Sequence, residues 1–470
     1  MMKEVLNKIV DKIYKPSILF IIGSFIFVFI TMDAWRNWHT DQHQFNWDVA
    51  NYYAYLPAYF CNKGSFKFDS TRFESKYMPV CAYDKSYIPK TTYGMAFLYS
   101  PLFALAYKIA INQNNPLDGF SEPFATVIHW GTIIYAFIGL LLLRKFLLYY
   151  FKELIVTITL AILFLGTTLF YYSVSMPELT HSNLFALFSA FVLLNYHWHK
   201  ETKYKHSFLL GLVLGLISLI RPTDIIIVLL MILWPVNHTL NFKNKFRFFV
   251  QRWRHVLLIL IVAFIVWIPQ FIFWKIRTGQ YLFFSYPGER FYWNDPQIIN
   301  VLFSYQKGLF VYTPLILLAF IGFFFMKSFS LAIRYSLLGA IFITIYIISC
   351  WWDWSFGGCF GARSFVQHFA YLSIPLASLV SFVFVNKLSL LYGRILKLLF
   401  FMVVSFGISL NLFQSLQYVN GILFPDGMTK KTYWLVFGKI KLNNNEMTEF
   451  WGSIKQIDFE KQRSGENRNQ

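Results

Sequence analysis

Apolar stretches recur along almost the whole 470-residue chain, and that repetition constrains its fold more than any motif does. A bilayer core takes about 20 apolar helical residues to cross, and only helices or closed barrels satisfy their backbone groups inside it. The pattern predicts spans over 17–32, 124–143, 154–172, 181–197, 207–220, 224–235, 256–274, 308–326, 335–350, 365–385 and 398–417. The expected fold is therefore an all-α, polytopic membrane bundle of about 11 transmembrane helices. Composition agrees: 57% of residues are hydrophobic and 14% charged, against roughly 25% charged in soluble domains. Disordered, collagen-like, coiled-coil and disulfide-scaffold classes are excluded.

Charge placement gives the sidedness. The net charge of +19 does not signal nucleic acid, because the basic residues fall between spans rather than on one solvated face. With the N-terminus inside, the inner connections hold 20 of the 42 Lys and Arg residues but only Glu4, Asp11, Glu153 and Glu201 among the acids. Residues 33–123 form a long outer loop, in which 93–111, with Pro101 and Lys108, is placed as an interfacial helix. The first span follows Lys12 and Lys15, has no small-residue cleavage site, and is expected to remain as an anchor. Residues 1–420 make one membrane domain and 421–470 a short tail, with disorder expected from Lys461. None of the four cysteines forms a CxxC, so finger and thioredoxin-like sites fail on spacing. Outer-side disulfides Cys61–Cys81 and Cys350–Cys359, or free thiols, remain open.

Every unusual polar cluster falls on the outer side. Asn46-Trp47-Asp48, followed by Tyr52, Tyr53 and Tyr55, puts a carboxylate among aromatic rings, a setting for a general base or simply for an interfacial belt. Glu178 and His181 share a helical face; with Asp48 they are the candidate ligands for a divalent cation (Mg or Mn), although such a set specifies no metal by itself, and a helix cap explains the motif equally. Arg221, before Pro222, can fork a phosphate or pair with Asp224. The stretch Trp351–Ser364 combines Trp352, Asp353 and Trp354 with three glycines and Arg363, offering ring faces for a sugar and a cation for an anion. Lys90 and Tyr93 add a further phosphate contact, and the 275–304 loop is polar and aromatic enough for a lid.

In order and sidedness, this arrangement resembles the GT-C superfamily of integral-membrane glycosyltransferases, particularly relatives of the protein O-mannosyltransferases and the lipid A aminoarabinose transferase. The resemblance covers roughly residues 15–420 and rests on Trp47-Asp48 with Tyr52 to Pro57, Arg221-Pro222-Thr223 and Trp351 to Arg363. It implies a GT-C-like fold in a bacterial inner membrane, with the active face outward. It also implies a polyprenyl-phosphate sugar donor, a glycan, lipid or protein acceptor, surrounding membrane lipids and no nucleic acid. Asp48 fits the family's catalytic carboxylate and Glu178 its second acid, while no DxD or Asp-Glu pair stands at Asp48. Arg363, Arg221 and Lys90, in that order, are the candidates to hold the leaving phosphate. Competing expectations are a multi-pass transporter or lipid flippase, whose ionisable residues sit at mid-membrane, and a polysaccharide polymerase or ligase sharing the same donor.

Overall fold

A computed structural model describes residues 15–35, 45, 47–68, 86–235, 242–385, 390–466 and 468. Helix makes up 72% of the described residues, which form no strand, only one antiparallel bridge between Phe291 and Trp351. The helices that position the site are α1 (Pro16–Trp35), α2 (Trp47–Tyr53), α3 (Gly94–Asn112), α4 (Glu122–Leu147), α5 (Glu153–Leu165), α6 (Thr180–Lys200), α7 (Tyr204–Ile220), α8 (Val228–Leu233), α9 (Trp253–Thr278), α10 (Leu331–Cys350), α11 (Phe369–Val385) and α12 (Leu390–Val419). Six described helices are long and apolar enough to cross a membrane: α3, α4, α9, α10, the Arg363–Val385 stretch that contains α11, and Leu391–Val419 within α12. Shorter apolar helices lie at Pro16–Thr31, Glu153–Leu165, Tyr204–Ile220, Pro222–Leu233 and Pro314–Phe325.

The structure refines three expectations. The stretch placed at the interface, 93–111, forms α3 and meets the length and composition of a span. Pro101 does not end it, because the Phe97 carbonyl that loses a backbone donor accepts from Ser100 Oγ instead (2.8 Å). The stretch 154–172 is interrupted after Leu165, where Asn411 Nδ2 donates to the Leu165 and Thr167 carbonyls (2.8 and 2.9 Å). The tail beyond Lys461 is ordered in its described part: Asp458 caps the helix Phe459–Ser464, and Arg468 is buried.

Helix directions follow from side-chain neighbours. His129 of α4 meets Glu178 just before α6, Gly139 faces Phe185, and Phe146 pairs with Tyr196, so α4 and α6 run parallel. Gly211 and Gly215, four apart on α7, let its backbone approach α9 at Ile259 and Ala263, a small-residue contact of the kind that packs apolar helices. Trp198 donates to Ser207 Oγ (3.0 Å), turning α7 back along α6. The start of α6, the end of α7, the end of α10 and Arg363 thereby gather at one end of the bundle. Lys200, Lys203 and Tyr204 lie at the other.

Candidate functional site

At the first of these ends is a cavity of about 400 Å³, lined by residues from every one of those termini. Asp48 lies in the first turn of α2, where a carboxylate suits the helix dipole, and Asn51 and Tyr52 follow it on the same face into the cavity. Arg221 caps the end of α7 in extended backbone, the geometry that a following proline enforces. Arg363 opens the helical turn Arg363–His368. Two non-glycine residues with left-handed backbone border this end: Trp47 (φ 52°), beside Asp48, and Phe356 (φ 59°), in the cavity wall. Such conformations are costly and concentrate where a structure is held for use. Next to Phe356, Gly357 (φ +64°) takes the same region without that cost.

The charges are paired across elements. Arg363 Nη1 lies 3.0 Å from Asp48 Oδ2, with the Asp48 side chain 48% exposed and Arg363 17%. Lys90 Nζ lies 2.5 Å from Glu289 Oε1 and 4.8 Å from the Tyr286 ring, while its backbone N–H donates to Asn51 Oδ1 (2.7 Å). The second Glu289 oxygen accepts from the Trp352 indole N–H (2.9 Å). Arg221 sits over the Phe356 ring at 5.5 Å. Below it, Asp224 accepts from Gln367 Nε2 (2.8 Å), with His368 Nε2 3.9 Å away. Burial first, and then the neighbouring Asp48 carboxylate, push the Tyr52 phenol up to about 12, so it stays a donor at neutral pH.

The cavity gathers most of the residues singled out by sequence. Asp48, Lys90, His181, Arg221, Trp352, Asp353 and Arg363 all line it. Asp353 does so with its carboxylate already accepting from Ser355 N (3.1 Å) and Oγ (2.7 Å). Three others are placed elsewhere. Glu178 is buried behind the wall, paired with His129, and its backbone carbonyl accepts from the Tyr99 hydroxyl. Trp354 is buried and donates to the Arg468 carbonyl (3.1 Å). Tyr93 turns to α9, with its N–H on Gln270 Oε1 (2.9 Å) and its hydroxyl on the Val266 carbonyl.

The metal candidates do not converge. Asp48 is on Arg363, Glu178 is on His129, and no group of three or more His, Cys, Asp or Glu among the described residues could hold an ion. The donor set therefore does not fit Mg or Mn at Asp48, Glu178 and His181. Cys350 and Cys359 are buried free thiols, and the Cys61–Cys81 pairing lies outside the described residues.

Several cavity residues escape a reading by motif. Asn51 carries a usable signal, since it lies three residues after Asp48. Glu289 belongs to the 285–297 loop, whose contact with Lys90, 199 residues away, has no local signature. Gln367 and His368 follow Arg363 by four and five residues inside an apolar run that reads as span. No protein-family model matches the chain, and no curated protein matches it either.

Proposed function

We propose that this chain is a membrane-embedded glycosyltransferase of GT-C type with about 11 spans. It moves a sugar from a polyprenyl-phosphate donor to an acceptor hydroxyl on the non-cytoplasmic side. The observation that carries the reading is the Asp48–Arg363 pair (3.0 Å), half-open to a cavity that also holds Arg221, Lys90 and the rings of Tyr52, Tyr286 and Trp352. In the positive-inside arrangement, that end of the bundle faces outward. Helix α3 fits this layout as an outer-leaflet helix, because Tyr135 donates to the Leu98 carbonyl and Tyr107 meets Phe124, which lays it along the outer half of α4.

The pair suits an exchange. A donor phosphate entering the cavity takes Arg363 with a bidentate contact, and Arg221 is placed to share the charge. Asp48, released from Arg363, accepts the proton of the acceptor hydroxyl. The hydroxyl oxygen attacks the anomeric carbon as the bond from that carbon to the phosphate oxygen breaks, which inverts the centre. Growing negative charge on the leaving phosphate falls on the two guanidinium groups, so no separate acid is required. Lys90 is a weaker candidate here, since Glu289 already neutralises it.

Lipid extracts of a deletion strain test the reading: a polyprenyl-phosphate sugar should accumulate and one envelope glycan modification should disappear. Complementation with Asp48→Asn should leave both defects in place at normal protein abundance. Full rescue would remove Asp48 from the reaction. A transporter is the second reading, favoured by the buried His129–Glu178 pair between helices. It predicts ligand counterflow into proteoliposomes that survives Asp48→Asn and fails with Glu178→Gln.

A further inference from the structure

At the opposite end of α6, about 30 Å away at about 1.5 Å for each of its 21 residues, lies a feature that sugar transfer does not use. The helix Phe242–Gln251 and the first turn of α9, which begins at Trp253, together present three faces. One is buried: Phe248 and Phe249 meet Trp198 with ring centroids 5.5 and 6.0 Å apart, and Lys245 Nζ turns inward to His199 Nε2 (2.8 Å) and the Trp234 carbonyl (2.6 Å). Just past the helix, Arg252 fixes the same side by donating to Thr202 Oγ1 (2.8 Å). The second face is apolar and open, with Phe246 73%, Val250 52% and Trp253 56% exposed. The third is basic and exposed to solvent, with Lys243, Arg247 and Arg254; Lys243 also makes an interaction of its own. Arg254 lies over the Trp253 ring at 5.5 Å.

Water alone gives no reason for an exposed aromatic ridge beside a basic one. The local charge is also one-sided. Between Asp224 and Lys275 there are five Lys and Arg residues, all from Lys243 to Arg254, and no acid. Two acids at this end, Glu153 and Glu201, are taken by Arg144 (2.9 Å) and Lys203 (2.5 Å). We infer that Phe242–Arg254 binds the anionic headgroup surface of a lipid bilayer. Phe246, Val250 and Trp253 enter the acyl boundary, and Lys243, Arg247 and Arg254 take lipid phosphates. The buried face holds the ridge and the cations in fixed orientation, so binding requires no folding step. A nucleic acid would use the cations but leave the apolar ridge in water.

The test uses the full chain in neutral detergent, titrated with phosphatidylglycerol or phosphatidylcholine, with bound lipid counted by native mass spectrometry. Phosphatidylglycerol should bind at least about tenfold tighter. Each of Lys243→Gln, Arg247→Gln and Arg254→Gln should cost roughly fivefold, the equivalent of about 1 kcal/mol per basic residue at an anionic surface. Lys430→Gln with Lys441→Gln, exposed positions in the C-terminal segment, should leave the preference intact. Equal binding of the two lipids overturns the inference, as does a preference that survives the triple substitution. So does competition by inorganic phosphate or a DNA duplex at equal phosphate concentration. Sugar transfer is not read in this assay, so its outcome leaves the role of Asp48 untouched.

Discussion

Single residues divide into those that face the cavity and those that build its wall, and the two groups predict different phenotypes. Glu178 belongs to the wall. Glu178→Ala leaves the buried His129 imidazole without its carboxylate partner and should cost roughly 1–3 kcal/mol, read as a fall in melting temperature in detergent, while Glu178→Gln retains a hydrogen bond and loses less. Normal melting of the alanine variant would return Glu178 to the chemistry. Asp353 gives a pH signature. Burial, and after it the nearby Asp426, lift its carboxyl above the ordinary aspartate range, against the opposing hydrogen bond from Ser355. The folded state therefore holds that proton more firmly than the unfolded chain. Its contribution to stability is full below about pH 4 and fades as pH rises through the lifted value. Asp353→Asn should flatten this part of the melting-temperature profile against pH, and an unchanged slope would refute the assignment. What sequence supplies at this scale is residue type and local spacing. Asp48 is found by its position after a span, but its partner Arg363 stands 315 residues on, and only three-dimensional packing joins them.

Elements were readable where periodicity and length act alone, and less so where tertiary contacts replace backbone bonds. The apolar runs at α4, α9, α10 and α12 announce themselves, because a long uncharged stretch has few alternatives. The interruption after Leu165 does not, since Asn411, which takes the loosened carbonyls, comes from a helix far along the chain. Nor does the apolar content of α3 reveal which of its neighbours it lies against. Close packing at this scale gives a sharp prediction. A Cβ at Gly322 would run into the Pro375 carbonyl of α11, where backbone cannot yield cheaply. Gly322→Ala should destabilise by roughly 1–3 kcal/mol, as overpacking does. An unshifted melting curve would mean that the Leu317–Gly322 helix and α11 do not touch as described.

On the scale of the whole molecule, two ends of one bundle carry different chemistry, and the C-terminal segment holds the cavity end together. Arg468 donates to the carbonyls of Asp295 (2.5 Å), Ser349 (3.2 Å) and Trp351 (3.0 Å), while Arg463 lies 5.0 Å from the Trp352 ring. These contacts tie the 285–297 loop to the Trp351–Asp353 wall. Deleting residues 459–470 should expose Cys350, now buried beside Arg468, to a membrane-impermeant maleimide at a rate at least about tenfold above the intact chain. Equal labelling would show that the segment is dispensable for the wall. The polar composition of this tail suggests disorder when read alone; its described part is held in place because Arg468 finds three backbone carbonyls. A practical corollary concerns recombinant handling. A fused affinity handle or fluorescent reporter that displaced Arg468 would loosen the wall, whereas one carried on a generous spacer would leave the arginine seated.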